Sequence, residues 1–212
     1  MSGVKVVVYG LSTEGYALAS QMAIKGADVY IIDESTPSAI SLKAEIAKTY
    51  PNVASLKEDE PLLAMEPIDV AISKAKYLFF TPRIRKTGQD IKTEIHSKFK
   101  DATTSLKKNS SVIFTLPTGF GGNNENISLL EHVTGFQVGK NISYFYYPLE
   151  DLNQQPKIIG SFNGKEDLVL SDLLTTTKKE KKFVAISSSE HFHAIDTLSR
   201  FSSLCSILEI CK

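Results

Sequence analysis

Val4-Lys5-Val6-Val7-Val8-Tyr9-Gly10-Leu11-Ser12-Thr13-Glu14-Gly15 opens the chain with a β-branched run that breaks on a glycine turn. A helical stretch follows, Tyr16 to Lys25, closed by Gly26. A second apolar run, Val29-Tyr30-Ile31-Ile32, then ends on Asp33. Strand, glycine turn, helix, strand and acid stand in the order and spacing of a dinucleotide-binding βαβ unit. Gly10 lets the chain turn sharply off the strand, and Gly15 lets the helix lie close to it. Between them, free backbone N–H groups and the positive end of the helix dipole face a pyrophosphate. Gly10, Leu11, Ser12, Thr13 and Gly15 are therefore candidate cofactor contacts. Asp33 is the candidate acceptor for the adenosine ribose hydroxyls. Ser12 departs from the usual Gly-x-Gly-x-x-Gly pattern, because a middle glycine allows the closest backbone approach to the pyrophosphate. Its hydroxyl could itself donate to a phosphate. Glu14 suits the helix dipole but opposes a nearby anion.

The rest of the composition narrows the classes. Of 212 residues, 42% are hydrophobic and 23% charged, which suits one large domain or one domain with an appendage. Twenty-four basic and 24 acidic residues cancel, so nothing in the balance points to nucleic acid or an anionic membrane as a partner. No apolar stretch is long enough for a bilayer span, and the N-terminus runs straight into a strand, so no leader is expected. Cys205 and Cys211 share one apolar segment and make no metal pattern. Of the four histidines, only His191 and His193 are close, with no ligand partners at metal spacing, so no metal site is expected. A reducing, cytoplasmic setting is the expectation.

Strand and helix signals alternate along the chain. Ser35-Thr36-Pro37-Ser38 reads as a helix start, with a helix over 39–49. A short helix is predicted within 67–75, a strand over Tyr77–Phe80, and a long helix over 90–108 with Ile91, Ile95, Phe99, Ala102 and Leu106 on one side. Further strands are predicted at Ser111–Phe114, 144–148, 157–160 and 183–187, with helices over 125–133 and 168–174. This alternation predicts an α/β fold of Rossmann type: a doubly wound, mainly parallel sheet with helices on both faces and a long C-terminal helix. In such sheets the ligand crevice lies at the carboxyl ends of the strands. Thr81 and Pro82, then Thr115 and Pro117, stand at those ends and join the candidate cofactor contacts. The strand ends share small polar residues, glycine and proline, which suits close backbone approach to an extended cofactor.

The chain divides in this reading into a dinucleotide-binding domain over 1–188 and a C-terminal helix over 189–212. In that helix Phe192, Ile195, Leu198, Phe201, Leu204, Leu208 and Cys211 recur at steps of three and four. The stripe is longer than a soluble monomer ordinarily exposes, so a homodimer through this helix is expected.

The ordered series of strand ends resembles the N-terminal domain of the UDP-glucose/GDP-mannose dehydrogenases, nucleotide-sugar dehydrogenases that oxidise a sugar C6 alcohol to an acid with NAD. Gly10 to Gly15 stands where that family has Gly-Leu-Gly-x-x-Gly, and Asp33 stands at its ribose-binding acid. The run from Asp69 to Thr81-Pro82, the loop Thr115-Leu116-Pro117-Thr118-Gly119, the segment Leu129 to Gly139, Tyr146-Tyr147-Pro148 and Pro156 to Gly160 resemble successive family motifs. The resemblance implies a dinucleotide partner and NAD as cofactor. Asp33 and Glu34, with no arginine near them in sequence, favour NAD over NADP.

The departures bear on catalysis. The family glutamate after Ser-Pro falls on Leu149, with Glu150 one residue late. The family's catalytic lysine and asparagine positions read as Asp196 and Arg200. The nucleophilic cysteine and the sugar-binding domain have no counterpart in these residues, so complete alcohol-to-acid oxidation by this chain alone is not expected, and no catalytic residue is assigned. Three readings stay open. One is an NAD-binding protein acting as a regulatory or partner subunit. Another is an oxidoreductase completed by a separate substrate-domain subunit. The third is a Rossmann-like interaction protein that holds no nucleotide.

Overall fold

The β-branched run at the N-terminus forms β1 (Lys5–Tyr9), whose side chains alternate between two buried faces. Val6 and Val8 enter one apolar layer, and Val7 and Tyr9 enter the other. This period of two, buried on both sides, is what a central strand of a covered parallel sheet requires. The computed structural model describes residues 3–58, 63–88, 90–149, 157–174 and 181–210, with side chains as far as 202.

β1 leads through the turn into α1 (Thr13–Ile24) and back to β2 (Asp28–Ile32), which pairs with β1 in parallel from Lys5↔Asp28 to Tyr9↔Ile32. The next elements are β3 (Ser38–Leu42), α2 (Ala44–Thr49), α3 (Val53–Glu58), β4 (Met65–Pro67) and α4 (Ile68–Lys74). β5 (Tyr77–Phe80) then returns to the other side of β1. It is followed by α5 (Asp90–Thr103), β6 (Ser111–Phe114), α6 (Gly122–Thr134) and β7 (Ser143–Tyr146). The chain finishes with β8 (Lys157–Ser161), α7 (Leu168–Leu173), β9 (Lys181–Ala185) and α8 (Ile186–Ile210).

The nine strands form one sheet in the order β4-β3-β2-β1-β5-β6-β7-β8-β9. Five neighbouring pairs are parallel and three antiparallel, the latter being β2–β3, β3–β4 and β7–β8. The expected doubly wound α/β architecture is therefore present. The strand order reverses between β1 and β5, the topological switch point at which such sheets open a crevice.

Several elements differ from expectation: α3 and β4 were not expected, and α5 stops at Thr103 rather than at 108. The helix expected over 39–49 gives its first part to a strand: residues 39–42 belong to β3, antiparallel to β2 in the register Ile31↔Ile40, and only α2 is helical. A turn in which the Thr36 N–H donates to the Asp33 carbonyl at 3.0 Å reverses the chain. The strand then buries Ile40 and Leu42 on one face and Ala39 on the other. The capping signal at Ser35 and Thr36 is real but serves this turn, and pairing with β2 outweighs local helix propensity. The last helix begins at Ile186, three residues earlier than expected, directly off β9. Gly160 eases that approach: a Cβ there would stand 3.0 Å from the Ser189 Cβ and 3.2 Å from the Ile186 Cα, so any other residue would push α8 away from β8 by a few tenths of an ångström.

Below the carboxyl edge lies a row of aromatic rings. Tyr9, Phe80 and Phe114 are stacked at 5.9 and 5.4 Å, and Phe99 of α5 sets its ring edge-on to Phe80 and Phe114 at 5.0 and 5.5 Å. Phe80, Phe99 and Phe114 are at most 1% exposed, so the strand ends that shape the crevice stand on a packed floor.

Candidate functional site

The turn after β1 is shaped by contact with the turn after β5. Gly10 has φ +108°, and a Cβ there would lie 2.2 Å from the Thr81 carbonyl oxygen. Its N–H donates to the Ile32 carbonyl at 3.0 Å, which ties the turn to β2. A Cβ on Gly15 would lie 2.5 Å from the Thr81 Oγ1 and 2.9 Å from the Gly10 carbonyl. Both glycines are thus required by the close approach of α1, β1 and the Thr81 turn.

Ser12 is the N-cap of α1. Its Oγ accepts a hydrogen bond from the Gly15 N–H at 3.0 Å, and its carbonyl accepts from Tyr16 at 2.9 Å. One of the N–H groups available at this helix end is therefore already satisfied, and no intrahelical acceptor serves those of Thr13 and Glu14. Ser12 and Glu14 line a cavity of about 210 Å³ together with Thr81, Pro82, Thr115, Leu116, Pro117 and Leu149. The structure brings these strand ends to one place. Leu11 is buried in the core beneath the turn.

The two threonines have specific duties. The Thr81 hydroxyl donates to the Gly10 carbonyl at 3.0 Å, and the Thr115 hydroxyl donates to the Phe80 carbonyl at 2.6 Å. Each ties its own turn to the end of the neighbouring strand, so the hydroxyl protons are spent on the scaffold.

Asp33 lies apart from that cavity, and its side chain is only 8% exposed. Its Oδ1 accepts from the Ser35 N–H at 3.1 Å and the Ser35 hydroxyl at 2.8 Å, and its Oδ2 accepts from the Lys57 ammonium at 2.6 Å. Burial alone would raise its pKa; Lys57 and the Ser35 donors outweigh that and hold the carboxyl below its ordinary value. Glu34, next in sequence, accepts from the Arg83 N–H at 3.0 Å and pairs with Lys98 at 2.5 Å. Lys98 also pairs with Glu94 at 2.9 Å. Glu94 is held down to about 2, first by the Lys86 N–H at 2.8 Å and then by Lys98. The absence of arginine near Asp33 and Glu34 in sequence does not carry into space: the Arg83 backbone reaches Glu34, and α3 and α5 deliver Lys57 and Lys98.

Sequence reasoning missed Glu190. It is 4% exposed on α8, and its carboxylate accepts from the Gly121 N–H at 2.9 Å, the Asn123 N–H at 3.0 Å and the Asn123 Nδ2 at 2.7 Å. The Tyr144 hydroxyl donates to the Asn123 Oδ1 at 2.6 Å, and Asn123 Nδ2 also donates to the Thr118 hydroxyl at 2.8 Å. The Thr118 N–H donates to the Tyr146 hydroxyl at 3.1 Å. This network fixes the loop after β6 against α8. Beside it His193, Thr197 and Leu198 face Pro117, Thr118, Gly119 and Tyr146 around a cavity of about 410 Å³. Asp196 and Arg200 form an ion pair with each other at 2.8 Å along α8. Glu150 lies outside the described residues.

Solved structures share this fold. A GDP-mannose dehydrogenase from Pseudomonas aeruginosa superposes with a TM-score of 0.71 at 13% identity, covering 95% of this chain and 51% of that one. The chain has the fold of half a nucleotide-sugar dehydrogenase. A UDP-D-ManNAc dehydrogenase from Pyrococcus horikoshii gives 0.68 at 17% identity, covering 92% of this chain and 50% of the other. A reductive aminase from Aspergillus terreus, solved with NADPH and ethyl levulinate, gives 0.58 at 12% identity, covering 97% and 63%. No protein-family model matches the sequence, and no characterised protein matches it by sequence. The chain spans about half the length of the dehydrogenases it resembles in fold. Among the described residues, no three metal-ligating side chains gather, and no helix is long and apolar enough to cross a membrane.

Proposed function

We propose that this chain binds a dinucleotide across the β1–β5 switch point, NAD in preference to NADP, as the cofactor-binding component of a nucleotide-sugar-dehydrogenase-like system. The observation that carries the reading is the cavity at the end of α1, where Ser12, Thr81, Pro82, Thr115 and Pro117 converge at the one place where the strand order reverses. Thr13 and Glu14 would offer their N–H groups to the pyrophosphate, and Pro117 would bound the nicotinamide end. Asp33 would take the adenosine ribose. Bound NAD would supply hydride acceptance; this chain's residues would bind and orient it. The charge of Asp33 and Glu34 opposes a 2′-phosphate, and Lys98 is held between Glu34 and Glu94.

A separate substrate-domain subunit would complete the chemistry, and the chain itself would act as a regulatory or partner subunit in the cytoplasm. Ile195, Leu198 and Phe201 are exposed along one side of α8, which supports a homodimer through that helix. Leu204, Leu208 and Cys211 of the expected stripe lie outside the described side chains. Light scattering over a concentration series should find a dimer, and Ile195→Glu should shift it to monomer at the same concentration. A wild-type monomer at high micromolar concentration overturns the dimer.

The competing reading is an interaction protein without nucleotide. It draws on the Ser12 cap and the Lys57–Asp33 pair, which occupy groups that a dinucleotide would use. Calorimetric titration with NAD, NADH, NADP and a UDP-sugar separates the two. NAD and NADH binding more tightly than NADP is the expected result, with no sustained NADH production from NAD and UDP-glucose. Absence of binding by every dinucleotide overturns the reading.

A further inference from the structure

The acid that should receive the ribose is already fully engaged on one oxygen. Asp33 Oδ1 accepts two hydrogen bonds from Ser35, which fills its two lone-pair directions. Oδ2 accepts one, from Lys57 at 2.6 Å. A ribose diol brings two hydroxyl donors, but only one acceptor direction remains. None of the cavities described above is lined by Asp33, in keeping with a carboxylate covered by its own chain.

Of the two partners, Lys57 is the one that can leave. The Ser35 bonds close a tight local turn at the end of β2, two residues from the acid. Lys57 reaches Asp33 from α3, 24 residues away, on a flexible stem, and its own side chain is 38% exposed. An ammonium so placed exchanges a carboxylate for water at small cost. Taking the dinucleotide reading as given, we infer that Lys57 is the residue that sets affinity for the adenosine ribose: it holds Asp33 Oδ2 as an internal cation, and the ribose hydroxyls bind by displacing it. The ribose end of the crevice is thereby self-competing, whereas the pyrophosphate end is not touched by Lys57.

The test compares Lys57→Met, Lys57→Gln and Lys57→Arg with the wild type in calorimetric titrations. The probes are NAD, ADP-ribose and nicotinamide mononucleotide, which lacks the adenosine ribose. Lys57→Met and Lys57→Gln should bind NAD and ADP-ribose about two- to fivefold more tightly, the gain from no longer displacing a part-exposed ion pair. Nicotinamide mononucleotide should bind the same to all proteins, and Lys57→Arg should stay close to wild type. Two neutral variants guard against one that fails to fold, and a thermal melt checks each. Unchanged or weaker ADP-ribose binding in the neutral variants overturns the role of Lys57 while leaving dinucleotide binding in place. An equal gain for nicotinamide mononucleotide overturns it as well, because the effect would not be local to Asp33. If no variant and no wild-type protein binds any of the three probes, the dinucleotide reading itself falls, and the inference falls with it.

Discussion

Among the helices that begin at the carboxyl edge of this sheet, α1 and α6 have N-termini that are treated in opposite ways. At α1 the cap is a neutral hydroxyl, Ser12 Oγ, which takes one N–H and leaves those of Thr13 and Glu14 without an intrahelical acceptor, beside a cavity that Ser12 and Glu14 line. At α6 the cap is a buried carboxylate, Glu190, which takes two N–H groups and the Asn123 amide. A helix N-terminus attracts negative charge. The end of α6 has its charge supplied from within by α8, so it has little left to offer a ligand anion. The end of α1 is the one still in need of an anion. Of the two glycine-bearing loops, then, the second is scaffold, and the first is where the proposed pyrophosphate would sit.

The most severe way to break this comparison is to close the first turn. Gly10→Ala adds a Cβ 2.2 Å from the Thr81 carbonyl at φ +108°. Backbone strain and overpacking together should cost about 3–5 kcal/mol, read by denaturant unfolding. A loss below about 1 kcal/mol would mean that the turn does not sit against Thr81.

The next largest effect lies at the other helix. Glu190→Ala leaves two buried Asn123 donors and the part-buried Gly121 N–H without their acceptor and should cost about 2–4 kcal/mol. It should also convert α6 into an end like that of α1: sulfate should raise the melting temperature of the variant more than that of the wild type. A variant that melts with the wild type, or gains nothing from sulfate, removes the contrast.

These two ends also show what could be read in advance. Ser12 acts on Gly15, three residues on, and the turn, helix and Asp33 follow from local spacing. The switch point and the strand ends follow from the alternation of elements. Glu190 acts on Asn123 across 67 residues, and Lys57 on Asp33 across 24, so neither pairing leaves a local pattern. Residues 38–42 mislead for the same reason. Their local capping signal is genuine, yet the strand is decided by what lies beside β2. The glycine turn and its helix were legible from local spacing, the capping role of Ser12 was not read from it, and the counter-charges supplied by distant elements left no signal at all.

A smaller effect sharpens the picture at Asp33. Its folded-state pKa lies below the ordinary value, so the stabilisation it provides is complete above the unfolded aspartate pKa of about 4 and is lost as pH falls through the folded value. Because Lys57 is 38% exposed, the pair should be worth under about 1 kcal/mol. Asp33→Asn should therefore unfold slightly more easily than wild type at pH 7, and the gap should narrow as pH falls below about 4. A gap that widens towards acid would reverse the sign and contradict the pairing.

The smallest change addresses the departure from the glycine pattern. Ser12 has φ −84° and ψ 166°, an extended conformation that any residue adopts, so serine is there for its hydroxyl and not for its backbone. Ser12→Gly should cost only a few tenths of a kcal/mol, since glycine is itself a tolerated N-cap. It frees the Gly15 N–H and removes a side chain from the cavity. Both changes bring the α1 end closer to a pyrophosphate, so NAD should bind about tenfold more tightly, the worth of one additional charge-assisted hydrogen bond. Ser12→Ala, which frees the same N–H but keeps a Cβ, should lose about 1 kcal/mol of stability and gain less affinity. Titration of the three proteins with NAD decides the point. If Ser12→Gly instead binds NAD more weakly, the hydroxyl is itself a phosphate donor. The α1 end would then differ from α6 by presenting a side chain as well as an open helix to the anion.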